Sequence, residues 1–237
     1  MIKKIKHRQK VLVTGATGFL GRNIAQYLSQ FDKYDVHGVW HKRQPFESNK
    51  IKWVRGDLTL KSDVERVVDE YDILIQMASV TSGSKDVVNS PYIHISDNAI
   101  MNSLILRSVF DRKIKNFVFP SCSIMYESKE EAHDENSFDL TGKIEKHYFG
   151  GAWNKIYFEK MCEFYSNLGV TKFTVIRHSN VYGPYDKFDL EKSHVFGASI
   201  TKVLKNKDGV FNLWGDGKEG RDLIHVDDLN KLIKILI

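Results

Sequence analysis

The residues best suited to chemistry stand where short apolar runs end. In VLVTGATGFLG, Gly15, Gly18 and Gly21 follow a β-branched run and lead into an amphipathic one. The first glycine permits a tight turn, the second lets a pyrophosphate approach the backbone, and the third lets a helix pack close to a sheet. The N–H groups and positive dipole end of such a helix suit phosphate oxygens. Thr17, Phe19 and Leu20 share this turn and are expected to line it. The second apolar run ends as VWHKR. An acid there would accept from a ribose 2′-hydroxyl, but His41, Lys42 and Arg43 occupy the place, and Arg22 follows the glycine turn. Basic groups suit a 2′-phosphate, so the expected cofactor is NADP, with NAD as the alternative. Asp57, in RGDL, ends the third run. It is placed to accept from an adenine amino group, or equally to cap the helix after it.

The elements that must hold these residues alternate. Strands are expected at 11–14, 35–40, 51–57, 72–78, 116–123 and 172–183. Helices are expected at 19–30, 60–71, 96–112 and 154–169. This order implies an α/β fold: a doubly wound parallel sheet with right-handed crossovers and helices on both faces. Leu58, Met77 and Ala78, at strand ends, are expected on the cofactor side, with His178 beyond the sixth strand. After Tyr182 the alternation stops. A polar irregular stretch, a helix at 195–206, a turn-rich strand pair at 211–226 and a helix at 227–237 follow. The chain therefore divides into a dinucleotide-binding domain, 1–182, and a partial substrate-binding region, 183–237. The last helix carries an apolar face that needs a cover; a truncated C-terminal part is the favoured expectation, and packing of that helix on the main body is the alternative.

Composition narrows the class. The 237 residues are 42% hydrophobic and 27% charged, with a net charge of +5, which suits a globular domain. The basic start MIKKIKHRQK reads as a solvated lead-in. No basic stripe interleaved with aromatics points to nucleic acid. No run approaches the roughly 20 apolar residues of a membrane span. Cys122 and Cys162 have neither disulfide-framework nor metal-ligand spacing, so no metal is expected and the location is read as cytoplasmic.

TGATGFLG, GDL, the lysine of GAWNK and NVYGP together resemble the extended short-chain dehydrogenase/reductases of the NAD-dependent epimerase/dehydratase family, which act on nucleotide sugars. NVYGPYDKFDLEKSHV and WGDGKEGRDLIHVDD are narrower and resemble its GDP-L-fucose synthase branch of NADPH-dependent 3,5-epimerase/4-reductases. The resemblance implies roles. Lys155 would bind the nicotinamide ribose and lower the pKa of a nearby phenol, ordinarily about 10. His194 would be the second acid of epimerisation, a task suited to an imidazole of ordinary pKa about 6.5. Asn180, Lys202 and Arg221 fall at positions near the sugar nucleotide, and Asn98 near the cofactor or active site. Lysine at 202 replaces the usual arginine, so a bidentate phosphate clamp becomes a point charge. A homodimer is usual in the family.

Two departures fall at the chemistry. The family's active-site hydroxyl is Cys122 here, flanked by Ser121 and Ser123, which a regular strand would point to the opposite face. The tyrosine four residues before the lysine is Gly151. Tyr157 lies about 200° around a helix from Lys155, and Tyr148 precedes the helix. The expected function is a nucleotide-sugar epimerase/reductase acting with NADP(H) on a nucleotide-linked 4-keto-6-deoxy sugar, impaired at Gly151. The alternatives are a non-catalytic dinucleotide-binding partner subunit or an engineered inactive variant.

Overall fold

The computed structural model describes residues 8–80, 92–188, 190, 193–206, 209, 217–218 and 220–237; the side chains of Ile93, His94 and His147 are not among them. The basic lead-in over residues 1–7 and most of the expected strand pair at 211–226 lie outside the described residues.

Period-two alternation builds the sheet. In β1 (Gln9–Val13), Val11 and Val13 face one side and Leu12 the other. The same division separates Ile73 and Ile75 from Leu74 in β4 (Ile73–Ile75), and Val118 from Phe117 and Phe119 in β5 (Asn116–Pro120). With β2 (Tyr34–Trp40), β3 (Ile51–Arg55) and β6 (Lys172–Ile176), these form a parallel six-stranded sheet of order β3-β2-β1-β4-β5-β6. The order reverses between β1 and β4. Such a switch point opens a crevice at the carboxyl ends of the strands.

Both faces are covered. On the Val11 side pack α1 (Phe19–Leu28), through Ile24, Ala25 and Leu28, and α6 (Val226–Leu236), through Val226, Leu229 and Ile233. On the Leu12 side pack α2 (Lys61–Val67), α3 (Tyr92–Asp111) and α4 (Phe149–Asn167). The last helix is therefore not bare. Its helical period turns Val226, Leu229 and Ile233 onto α1, and leaves Ile235 79% exposed on the far side.

Two expected elements differ. The sixth strand stops at Ile176, and Asn180–Tyr182 leaves the sheet as β7, which pairs in parallel with β8 (Leu223–His225). Arg177 marks the break: its guanidinium forms a two-pronged pair with Glu159 of α4 (Nε–Oε2 3.0 Å, Nη2–Oε2 2.7 Å) and donates to the Tyr126 hydroxyl at 2.7 Å. The fourth helix begins at Phe149, not at Asn154. Glycine at 150 leaves room for the Ile95 side chain, whose Cδ1 would lie 2.4 Å from a Cβ there. Between β7 and β8, α5 (Val195–Lys205) opens at His194.

At the sheet's opposite end, His37 meets Asp35 through Nε2 (3.3 Å) and Tyr71 through Nδ1 (3.0 Å), while Lys52 pairs with Asp35 at 2.8 Å. Burial holds the His37 pKa below its ordinary value, outweighing Asp35, and burial raises the Tyr71 pKa to about 12. Below about pH 6.5 the unfolded chain takes up the His37 proton more readily than the folded one. This contribution to stability is thus complete above pH 6.5 and is lost as pH falls towards the lowered pKa. Melting temperature followed from pH 7.5 to 5 should fall, and it should fall less steeply in His37→Gln. An equal slope in both would remove His37 as the cause.

Candidate active site

Backbone lies against backbone at the switch point. Gly15 has φ +59, and a Cβ there would sit 2.8 Å from the backbone of Met77 and Ala78. A Cβ on Gly21 would be 2.2 Å from the Gly15 carbonyl oxygen. Gly18 donates to that same oxygen at 2.8 Å and leaves α1 without a side-chain cap. The first-turn N–H groups of α1 are thus open to an anion. A buried polar network sets the approach. Thr14 Oγ1 donates to Gln76 Oε1 at 2.5 Å and accepts from the N–H groups of Met77 and Ala78, each at 3.0 Å. Gln76 in turn donates to Asn102 Oδ1 at 2.8 Å. The sequence signal was available: polar side chains at 14, 76 and 102 interrupt otherwise apolar elements.

Thr17, Gly18, Arg22, Arg43, Gln44, Phe46 and Tyr185 line a cavity of about 220 Å³ beside this turn. The Arg22 guanidinium lies 3.7 Å from the Tyr185 ring centroid and 4.3 Å from that of Phe46, and its buried Nε has no hydrogen-bond partner. Arg43 donates to the Thr17 carbonyl at 3.1 Å. Lys42 is exposed, and His41 turns to Asp57 at 3.5 Å. Asp57 Oδ1 accepts from the Thr59 N–H and hydroxyl at 3.0 and 2.7 Å, closing the turn before α2. Burial opposes, yet these bonds and His41 bring its pKa below the usual carboxylate value. Leu58 is buried; Phe19, Leu20, Met77 and Ala78 are half-buried around the turn.

At the carboxyl end of β5 stands Lys155. Its Nζ donates to the Pro120 carbonyl at 2.6 Å and lies 4.7 Å from the Phe119 ring centroid. Burial lowers its pKa, opposed by Cys122 and Glu159. Burial likewise raises the Cys122 thiol, and Lys155 opposes that rise. Ser121 is fully buried and its Oγ has no hydrogen-bond partner, whereas Ser123 is exposed where a 3₁₀ turn (Ser123–Met125) bends the chain. His178 Nδ1–H donates to the Ser179 carbonyl at 2.7 Å, and its pKa sits low, first through burial and then through Lys155 and His194. Cys122, Lys155, His178 and His194 thus share one electrostatic neighbourhood.

Gly151 lies one helical turn before Lys155 on α4, and a Cβ there would make an ordinary 3.5 Å contact with Ile124. Space for a Cβ exists where none is present. Tyr148 and Tyr157 are 46% and 54% exposed. His194 is the exposed N-cap residue of α5, Lys202 is half-buried on the same helix, and Arg221 is exposed just before β8. Asn180 Nδ2 donates to the Asp222 carbonyl at 3.2 Å and clips β7 to β8. Asn98 accepts from the Val80 N–H at 2.9 Å and holds the segment after β4. A cavity of about 750 Å³ beside α4 and β6 is lined by neither the glycine turn nor Lys155. Among the described residues no cluster of three metal-ligating side chains occurs, and no helix is long and apolar enough to cross a membrane.

A parallel sheet with a glycine turn at its switch point, and a buried lysine beyond β5, defines a Rossmann protein for nicotinamide dinucleotides. The chain belongs to the NAD dependent epimerase/dehydratase family, whose model matches residues 11–237. It is 28% identical to GDP-L-colitose synthase of Yersinia pseudotuberculosis over 94% of this chain and 70% of that protein. It is 29% identical to GDP-L-fucose synthase of Sinorhizobium fredii over 97% of this chain and 70% of that protein. The fold matches a GDP-L-fucose synthetase from Naegleria fowleri bound to NADP, with a TM-score of 0.76 and 22% identity over 95% of this chain and 71% of that one.

The Lys155–Cys122 pairing has a measurable consequence. The Cys162 thiol is buried and pushed up to about 12, so a Cys162→Ala background isolates Cys122. In it, Lys155→Met should raise the pH midpoint of Cys122 alkylation by iodoacetamide, read by mass spectrometry. An unmoved midpoint would show that the lysine charge does not reach the thiol.

Proposed function

We propose that this chain is a nucleotide-sugar epimerase/reductase-type oxidoreductase that uses NADP(H) on a nucleotide-linked 4-keto-6-deoxy sugar, and that Gly151 makes it a poor reductase. The observation that carries this reading is Lys155, fixed to the Pro120 carbonyl one helical turn from a position with room for a side chain and none present. The close-packed glycine turn, the free first-turn N–H groups of α1 and the unpartnered Arg22 Nε fit a dinucleotide bearing a 2′-phosphate. Gly15, Thr17, Gly18, Phe19, Leu20 and Gly21 would hold the pyrophosphate, and Arg22 and Arg43 the 2′-phosphate. Leu58, Met77, Ala78, His178 and Lys155 would line the rest. When bound, the dinucleotide supplies hydride.

The chain's own residues do the proton work. Cys122, whose thiol pKa burial raises, and His194, the N-cap residue of α5, would be the proton-transferring pair of epimerisation. Asn180, Lys202 and Arg221, in and around residues 183–237, would face the sugar nucleotide, Lys202 and Arg221 supplying positive charge. Exposed Trp153, Tyr157 and Phe164 share one face of α4 and suit a homodimer. With both cysteines free, a reducing cytoplasm suits the chain.

One observation favours a second reading, a non-catalytic dinucleotide-binding subunit: no phenol shares the Lys155 face of α4, and the amine is already bonded to a carbonyl. A single experiment separates the two. In D₂O with NADPH and nucleotide-linked 4-keto-6-deoxy sugars, deuterium should enter the sugar with little NADPH oxidation. Gly151→Tyr should then raise NADPH oxidation by roughly 10²–10⁴-fold, the usual worth of a general acid. No exchange and no gain would leave the binding subunit.

A further inference from the structure

The cavity that holds Arg22 has one wall from outside the nucleotide-binding elements. Tyr185 belongs to the loop after β7, adopts φ +67, and places its ring 3.7 Å from the Arg22 guanidinium. A non-glycine residue rarely adopts that backbone without a compensating contact, and among the described residues the one ring or ionic contact of Tyr185 is with Arg22. The loop is tied down on both sides of this residue. Asn23 Nδ2, on α1, donates to the Pro184 carbonyl at 2.8 Å. Thr201 Oγ1, on α5, donates to the Phe188 carbonyl at 2.8 Å. A Cβ on Gly197 would lie 2.7 Å from the Lys187 carbonyl oxygen, so loop and helix are in close backbone contact. His194 opens that same α5. A continuous path of stacking, hydrogen bonds and close packing therefore runs from the Arg22 cavity to the helix that carries the candidate acid.

We propose that Tyr185 is a positioning residue that couples the two sites: filling the Arg22 cavity with a ribose phosphate locks the Arg22–Tyr185 stack, and the stack sets the loop and α5 with His194. The inference rests on the dinucleotide reading above and adds to it a reason for ordered binding, dinucleotide before sugar nucleotide. The physics is direct. Arg22 lies between two aromatic faces and its Nε is unpartnered. A phosphate monoester gives that guanidinium charge-assisted hydrogen bonds in its plane while its faces keep the two rings. Anchoring the guanidinium removes freedom from Tyr185 and, through Phe188 and Thr201, from α5. NAD, which lacks the 2′-phosphate, does not do so.

The test uses the full chain with NADP⁺ and NAD⁺ as probes. Dissociation constants come from calorimetry and loop order from amide hydrogen exchange over residues 183–188 and 193–200. In the unsubstituted chain NADP⁺ should slow exchange in both segments and NAD⁺ should not. Tyr185→Phe keeps a stacking face and should behave alike. Tyr185→Gly, which relieves the positive φ and so guards against misfolding, should abolish the protection and weaken NADP⁺ about three- to tenfold, the worth of one cation–π contact. Arg22→Lys keeps the charge but loses the planar stack, so it should bind NADP⁺ without protecting the loop. NADP⁺ bound with both segments unprotected, or protection surviving in Tyr185→Gly, overturns the coupling and leaves the dinucleotide reading standing. Failure of either nucleotide to bind the unsubstituted chain overturns both.

Discussion

Everything at the active end of this molecule depends on backbone meeting backbone where β1, α1 and β4 converge. Gly15 presses on Met77 and Ala78, and Gly21 presses on Gly15, each at a distance no side chain permits. The contact is held by Thr14, which takes hydrogen bonds from the two N–H groups that β4 would otherwise leave unpaired. Buried N–H groups without partners are costly, so a threonine there secures both the end of the strand and the crevice it opens. Gln76 and Asn102 extend the network to α3, which fixes that helix relative to the sheet. The crevice is therefore set by packing before any ligand arrives.

The chemistry sits one strand further on. Lys155 reaches back from α4 to the last carbonyl of β5, and its burial next to Cys122 links the two groups' protonation. A buried cation favours thiolate, while a buried thiol favours the neutral form; here burial wins at Cys122. Position 151, one helical turn before Lys155, carries no side chain.

Much of this was legible in the chain. The glycine turn, the alternation of strands and helices and the isolation of Lys155 from any tyrosine on its helix face follow from spacing alone, because turn chemistry and side-chain period are local properties. The start of α4 was misread for the same reason. The helix extends back to Phe149 where Gly150 packs against the Ile95 side chain, a contact that local sequence does not show. The final helix was read as bare because α1, its cover, is some 200 residues earlier. The long sixth strand was read through Arg177 because nothing in the sequence pairs that residue with Glu159 and Tyr126.

By itself, the sequence determined the class of fold, the phosphate-binding turn, the basic residues beside it and the glycine where an acid is expected. Those are consequences of residue type at fixed short spacing. Tertiary structure alone decided how the basic groups are placed: His41 turns to Asp57 and Arg43 to a carbonyl, while Arg22 stands between Phe46 and Tyr185 with a buried, unpartnered Nε. It also decided that Ser121 is sealed in the interior and Ser123 is not. The reason is common to both. Burial and pairing are properties of neighbours brought together by folding, and residues 22 and 185 become neighbours only when the chain closes over its own first helix.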